Sequence, residues 1–207
     1  MATMSALAEK DKVTSILWAS AAIAKLGEAR NFRAGLGLST INLVSVAATY
    51  KALEAHFHIS TATIPNIDFI EQVLAIYGKT LNILNHSANF FADDTTSAEA
   101  AEGVPAHVPW GLGKVRFTPA FKERDKTAKP PTGLGNLCRA AMVLHEPVHI
   151  VDHPFASQTA NHVYEHSAQY ATQPAANQLH NCSSYASFGQ QAFYGIDTRY
   201  GAGRPDD

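Results

Sequence analysis

The chain has 207 residues, 46% of them hydrophobic and 16% charged, which is enough to bury a core without staples and excludes a disordered or fibrous polypeptide. Its 16 Lys and Arg balance 18 Asp and Glu, so nothing in the charge selects a nucleic acid or an acidic membrane surface as partner. Two cysteines, Cys138 and Cys182, exclude a disulfide framework and read as small buried hydrophobes.

The first third reads as helices. The spacing predicts one over residues 5–30, a second opening after Ser39 and Thr40 with Ile41, Val44, Ala48 and Leu53 on its face, and a third after Pro65. In that third helix Ile67, Ile70, Val73, Leu74, Tyr77, Leu81 and Leu84 form one apolar stripe. Within the first, the apolar run 16–24 is interrupted by Ser20 and is far below the roughly 20 residues that span a bilayer. Lys10 and Lys12 precede that run as in a weak secretory signal, but Glu9 and Asp11 spoil the pattern. A cytoplasmic location is the default expectation, with secretion through a weak or non-standard signal left open. From 86 to 113 periodicity gives way to a polar connection. Residues 114–118 then alternate as a short half-buried strand, one that an extended substrate would pair with by strand addition. The mostly basic stretch 122–135, with Pro-Pro and Gly-Leu-Gly, reads as a loop. Helices are expected over 136–153 and 174–193, and a frayed tail after them.

The ten histidines are unevenly placed. No Lys or Arg lies between Arg139 and Arg199, yet His145, His149, His153, His162, His166 and His180 do, with Glu146, Asp152, Glu165 and Asp197. Such a stretch suits a bound cation, which nearby Lys or Arg would repel. Its centre is His145-Glu146-Pro147-Val148-His149. Two histidines four apart share one helix face and can bind one metal, while Glu146 stands beside them to take a proton from an activated water. Pro147 interrupts the motif, so the helix is expected to kink there or to begin late. A catalytic zinc takes three protein ligands. The third is sought among Glu165, placed first because the turn-rich stretch before it lets the chain return, then Asp152, His162, His166 and Gln158. Asp152, three residues past His149, serves equally well as a carboxylate orienting an imidazole.

The run from His145 to Asp152, then Tyr164-Glu165-His166, then His180-Asn-Cys-Ser-Ser-Tyr-Ala-Ser-Phe188, resembles the deuterolysin and lysine-specific metalloendopeptidase family, the aspzincins, and more closely their bacterial relatives. The strand around Val115–Phe117 and the Asn181, Tyr185 and Phe188 pattern fit the family over roughly residues 113–190. The family's Gly-Thr-x-Asp motif, which supplies its third ligand, is absent; Ser157-Gln-Thr-Ala-Asn161 stands near its place. The resemblance implies an α+β, mostly helical zincin-like domain with a small sheet and a zinc helix, as one domain over 1–207 with a helical half at 1–86 and a metal-binding half at 113–194. It implies His145 and His149 as zinc ligands and Glu146 as general base, with Glu165 substituting as the third ligand.

The expected activity is zinc-dependent hydrolysis of a peptide or protein substrate, with no nucleic acid or membrane as partner and the number of copies unassigned. Tyr170 is preferred over Tyr164 as the phenol that steadies the oxyanion. Two other readings compete: an inactive zincin-like binding domain with a structural metal, and a non-peptidase metal hydrolase whose ligands also suit iron.

Overall fold

The computed structural model describes residues 3–36, 42–59, 67–125, 138–158, 160–164 and 167–197. Helix α1 (Met4–Arg33) is the longest element, and the turns of α1 that face inward carry Ala8, Ser15, Trp18, Ala19, Ala22, Leu26 and Ala29. Alanines at this spacing let other helices approach closely. Helices α3 (Ile67–Asn85), α5 (Arg139–Val151) and α7 (Cys182–Tyr194) all pack against α1, and α2 (Leu43–Phe57) bridges α1 and α7. The N-terminal helices and the C-terminal half, with α5 and α7, therefore share one core. No helix among the described residues is long and apolar enough to cross a membrane.

Helix α2 begins one residue after Asn42, whose side chain accepts from the N–H groups of Val44 and Ser45. The expected starts at Ser39-Thr40 and Pro65, most of the basic loop and the tail lie outside the described residues. The connection over 86–113 is more ordered than its composition predicts. It contains β1 (Phe91–Asp93), a single helical turn α4 (Ala98–Ala101) and β2 (Ala106–His107). Strand β3 (Val115–Phe117) sits between them, parallel to β1 and antiparallel to β2. This corrects the expectation that β3 accepts an extended substrate: both of its edges are paired, and the outer strands of the sheet are β1 and β2.

Helix α5, which carries His145 and His149, is anchored at its start from α1. Arg139 Nε donates to Asp11 Oδ2 at 2.6 Å, its Nη1 donates to the Arg124 carbonyl at 2.6 Å, and Ser15 Oγ donates to the Ala140 carbonyl at 2.7 Å. Held there, α5 runs continuously through Pro147. A proline inside a helix forfeits one backbone bond and costs about 3 kcal/mol; burial of Val143, Leu144 and Val148 against neighbouring helices offsets it. On the far side, α7 crosses at Gly189, where a Cβ would lie 3.0 Å from Leu144 Cδ2 and 3.5 Å from Trp18 Cβ. The helix expected over 174–193 is divided into α6 (Ala175–Gln178) and α7. Asn181 caps α7 by accepting from the Ser183 N–H, and an asparagine offering this bond competes with continuing the helix.

Candidate metal centre

His145 and His149 project from one face of α5, both buried, with their Nε2 atoms 3.2 Å apart. Two ligands of a tetrahedral zinc, each at 2.0–2.1 Å from the ion, stand about 3.3 Å from one another. A third imidazole joins them. His162 brings its ring to 4.8 Å from that of His149 and 5.6 Å from that of His145, and one ligand nitrogen from each of the three lies within 4.8 Å of the others.

Short-range bonds in the returning chain place His162. The Gln158 carbonyl accepts from the N–H groups of both Asn161 and His162, and Asn161 Nδ2 donates to the Phe155 carbonyl at 3.0 Å. Asn181 Nδ2 then donates to the Val163 carbonyl at 2.8 Å, tying the turn to the start of α7. His162 Nε2 is buried and has no hydrogen-bond partner among the described residues. A buried imidazole nitrogen left unsatisfied carries a desolvation cost, which a bound cation removes.

Burial dominates the electrostatics. It holds the His145 imidazole well below its ordinary pKa, reinforced by His149 and His162, and it pushes His149 down to about 3, with His162 adding to the effect. His162 is lowered by burial too. All three rings are neutral near pH 7, which is the form that ligates. Glu146 is pushed up to about 8 by burial alone, so without a cation nearby it keeps its proton.

The other expected residues fall in different places. Asp152 Oδ2 lies 2.7 Å from His180 Nδ1, so its carboxylate is engaged with an imidazole outside the cluster. Gln158 is exposed and contributes through its backbone. Glu165 and His166 lie outside the described residues. Tyr170 is a buried core tyrosine whose hydroxyl donates to the His56 carbonyl at 3.3 Å and meets Ser184 Oγ at the same distance. The phenol beside the cluster is Tyr164, its ring stacked on His145 with centroids 6.1 Å apart and centred 5.1 Å from His162. Its hydroxyl is pushed up to about 12, chiefly by burial and then by Glu146, so it stays a donor at any physiological pH.

Two cavities meet at His149. One, of about 230 Å³, is lined by Ala106, His107, Glu146, His162 and Tyr164 among others. The other, of about 320 Å³, is lined by Val108, Pro109, Gly111, Gly113, Ile150 and His153 with His149. Val108 borders both, so β2 and the residues just after it form a wall along a depression that passes over His149. Sequence reading did not single out His107; it lies in a stretch without periodicity, on a strand of two residues.

No protein-family model, no curated protein and no solved structure matches this chain.

Proposed function

We propose that this protein is a zinc-dependent peptidase whose metal is held by His145, His149 and His162. The observation that carries the reading is the convergence of three neutral imidazoles, one whose buried nitrogen has no partner among the described residues, beside a buried carboxyl on the helix that carries His145 and His149. Within the described residues the cluster has three members, and three protein ligands with one open position are the pattern of catalytic rather than structural zinc. Here His162 takes the role that sequence reading gave to Glu165.

When bound, a zinc ion supplies Lewis-acid chemistry, activating water and polarising the scissile carbonyl. The rest falls to the chain. Glu146 accepts the proton of the attacking water and returns it to the departing amine; its burial makes it a strong enough base for this once a positive charge nearby favours the ionised form. Tyr164, protonated and facing His145, donates a hydrogen bond to substrate oxygen. The outer edge of β2 suits an extended peptide, whose backbone adds as a further strand while its side chains enter the two cavities flanking His149.

Purified without added metal, the protein is expected to contain about one zinc per chain. Glu146→Gln is expected to keep the metal and to lose cleavage of a quenched peptide library. Zinc retained by both forms, with no cleavage by either, would favour a structural metal in a binding domain instead.

A further inference from the structure

Away from the histidine cluster, where α1, α2 and the end of α7 meet, lies a cavity of about 300 Å³ that shares no lining residue with the two beside His149. Ala48 and Ala52, one turn apart on α2, leave the space, and Phe188 and Tyr194 of α7 wall it opposite. Its volume falls at the lower end for small-molecule sites. Lys25 is the one charged residue among the described residues that line it, and it is partly buried. An ammonium carries three donors. Lys25 uses one on Ser45 Oγ at 2.8 Å, and no ion pair joins it to a carboxylate among the described residues. Glu28, in the next turn of α1, is engaged at the start of α2, where its Oε1 accepts from the Asn42 N–H at 2.8 Å.

The other polar side chains of the lining are largely committed. Thr49 Oγ1 donates to the Ser45 carbonyl at 2.8 Å. Gln191 Oε1 accepts from His56 Nε2 at 2.7 Å, which leaves the amide N–H groups of Gln191 to donate. The Gln191 carbonyl, which would repel an anion, is taken up by the Gly195 N–H. An ammonium and an amide N–H₂ are therefore the donors left over in an otherwise apolar space. At Ala48 the cavity meets a groove of about 400 Å³ along α2, lined by Leu43, Val44, Ala47 and Lys51; Leu43 and Val44 are 62% and 79% exposed. We propose that this cavity binds a small aliphatic carboxylate, with the anionic end at Lys25 and Gln191 and the chain against Ala48, Ala52 and Phe188. A chain too long for the cavity continues over Ala48 along the groove. An uncharged ligand of the same shape would desolvate Lys25 without offering it a counter-charge, and a cation would be repelled. The proposal is independent of the metal centre.

The experiment is calorimetric titration of the full chain as purified with octanoate, octanol and octylamine, one chain under three head groups. Wild type is expected to bind octanoate at one site, about tenfold or more tightly than octanol, the margin of a charge-assisted hydrogen bond. Across shorter and longer carboxylates the affinity is expected to rise by up to about fourfold for each methylene buried. Lys25→Met, which keeps the stem and removes the charge, is expected to bring octanoate and octanol within about threefold of each other. Ala48→Trp places a large side chain at an exposed position where cavity and groove meet, and is expected to weaken both ligands by at least about tenfold. It also locates the site should Lys25→Met fail to fold. Octanol or octylamine bound as tightly as octanoate, or a preference for octanoate that survives Lys25→Met, would overturn the assignment of the carboxylate to Lys25. Absence of any binding by wild type would overturn the site. Octanoate binding that disappears when zinc is chelated and ignores both variants would place the carboxylate at the metal centre, and would overturn it equally.

Discussion

The carboxylate of Asp11, in the second turn of α1, lies 2.6 Å from Nε of Arg139, the first residue of the helix that carries the histidine cluster. Both side chains are largely buried, and Arg139 also donates to the Arg124 carbonyl. Removing one partner of such a pair leaves a charge without compensation, at a cost of about 3–5 kcal/mol. Asp11→Ala is therefore expected to lower stability by that order in chemical denaturation. A loss under about 1 kcal/mol, the level of an exposed pair, would show that the anchor is weaker than its geometry.

Gly189 lies where α7 crosses α1 and α5. A methyl there meets Leu144 Cδ2 at 3.0 Å, and Leu144 is fully buried beside His145, so the clash can be relieved only by shifting packed side chains. Gly189→Ala is expected to destabilise by about 1–3 kcal/mol. Adding Leu144→Ala should remove the clash, so the double variant is expected to be more stable than the sum of the two single losses, measured by a thermal or denaturant cycle.

Asp94 gives the fold an acid-sensitive point. The Thr96 N–H, followed by the Ser97 N–H and His107, holds its carboxyl below the usual carboxylate range despite burial. With the folded value below an unfolded value of about 3.9, the unfolded chain takes up a proton first as pH falls. Its contribution is thus complete above about pH 5 and is lost progressively below about pH 4. The gap in melting temperature between wild type and Asp94→Asn is expected to be wide at pH 6 and to narrow toward pH 3. A gap that holds constant across this range would contradict it.

The cluster and the Asp152–His180 pair make opposite predictions for metal binding. His162→Ala removes a proposed ligand and is expected to weaken zinc affinity by at least 100-fold, whereas Asp152→Asn, which on this proposal alters at most an orienting residue, should cost no more than about 10–100-fold. Zinc added to the metal-free protein is expected to raise the melting temperature of wild type and Asp152→Asn, because a ligand that binds only the folded chain stabilises it. The same titration should leave His162→Ala nearly unmoved.

Parts of this arrangement are legible in the sequence because they are local. His145 and His149 are four residues apart, and helical periodicity alone puts them on one face; Ile70, Val73, Tyr77 and Leu84 are likewise buried along α3 as their spacing predicts. The strand Val115–Phe117 is readable from its alternation. Strands β1 and β2, of three and two residues, are too short for any alternation to register and exist only because β3 supplies their partners. His162 belongs to the cluster through turn bonds from the Gln158 carbonyl and a long-range bond from Asn181 to Val163, none of which a fixed spacing encodes. Its place five residues past Glu165 favours Tyr170, yet the fold turns that side chain into the core toward His56 and brings Tyr164 to His145. Pro147 reads as a break, and it is accommodated because tertiary bonds hold the start of α5 and buried Val143, Leu144 and Val148 pack the helix on both sides of it.

The most direct test of the metal centre is X-ray absorption at the zinc edge of the protein as purified, compared with His162→Ala. The account predicts three imidazole nitrogens and one oxygen at about 2.0–2.1 Å in the wild type, with one imidazole lost in the variant. A wild-type spectrum with two imidazoles, or one that His162→Ala leaves unchanged, would contradict it.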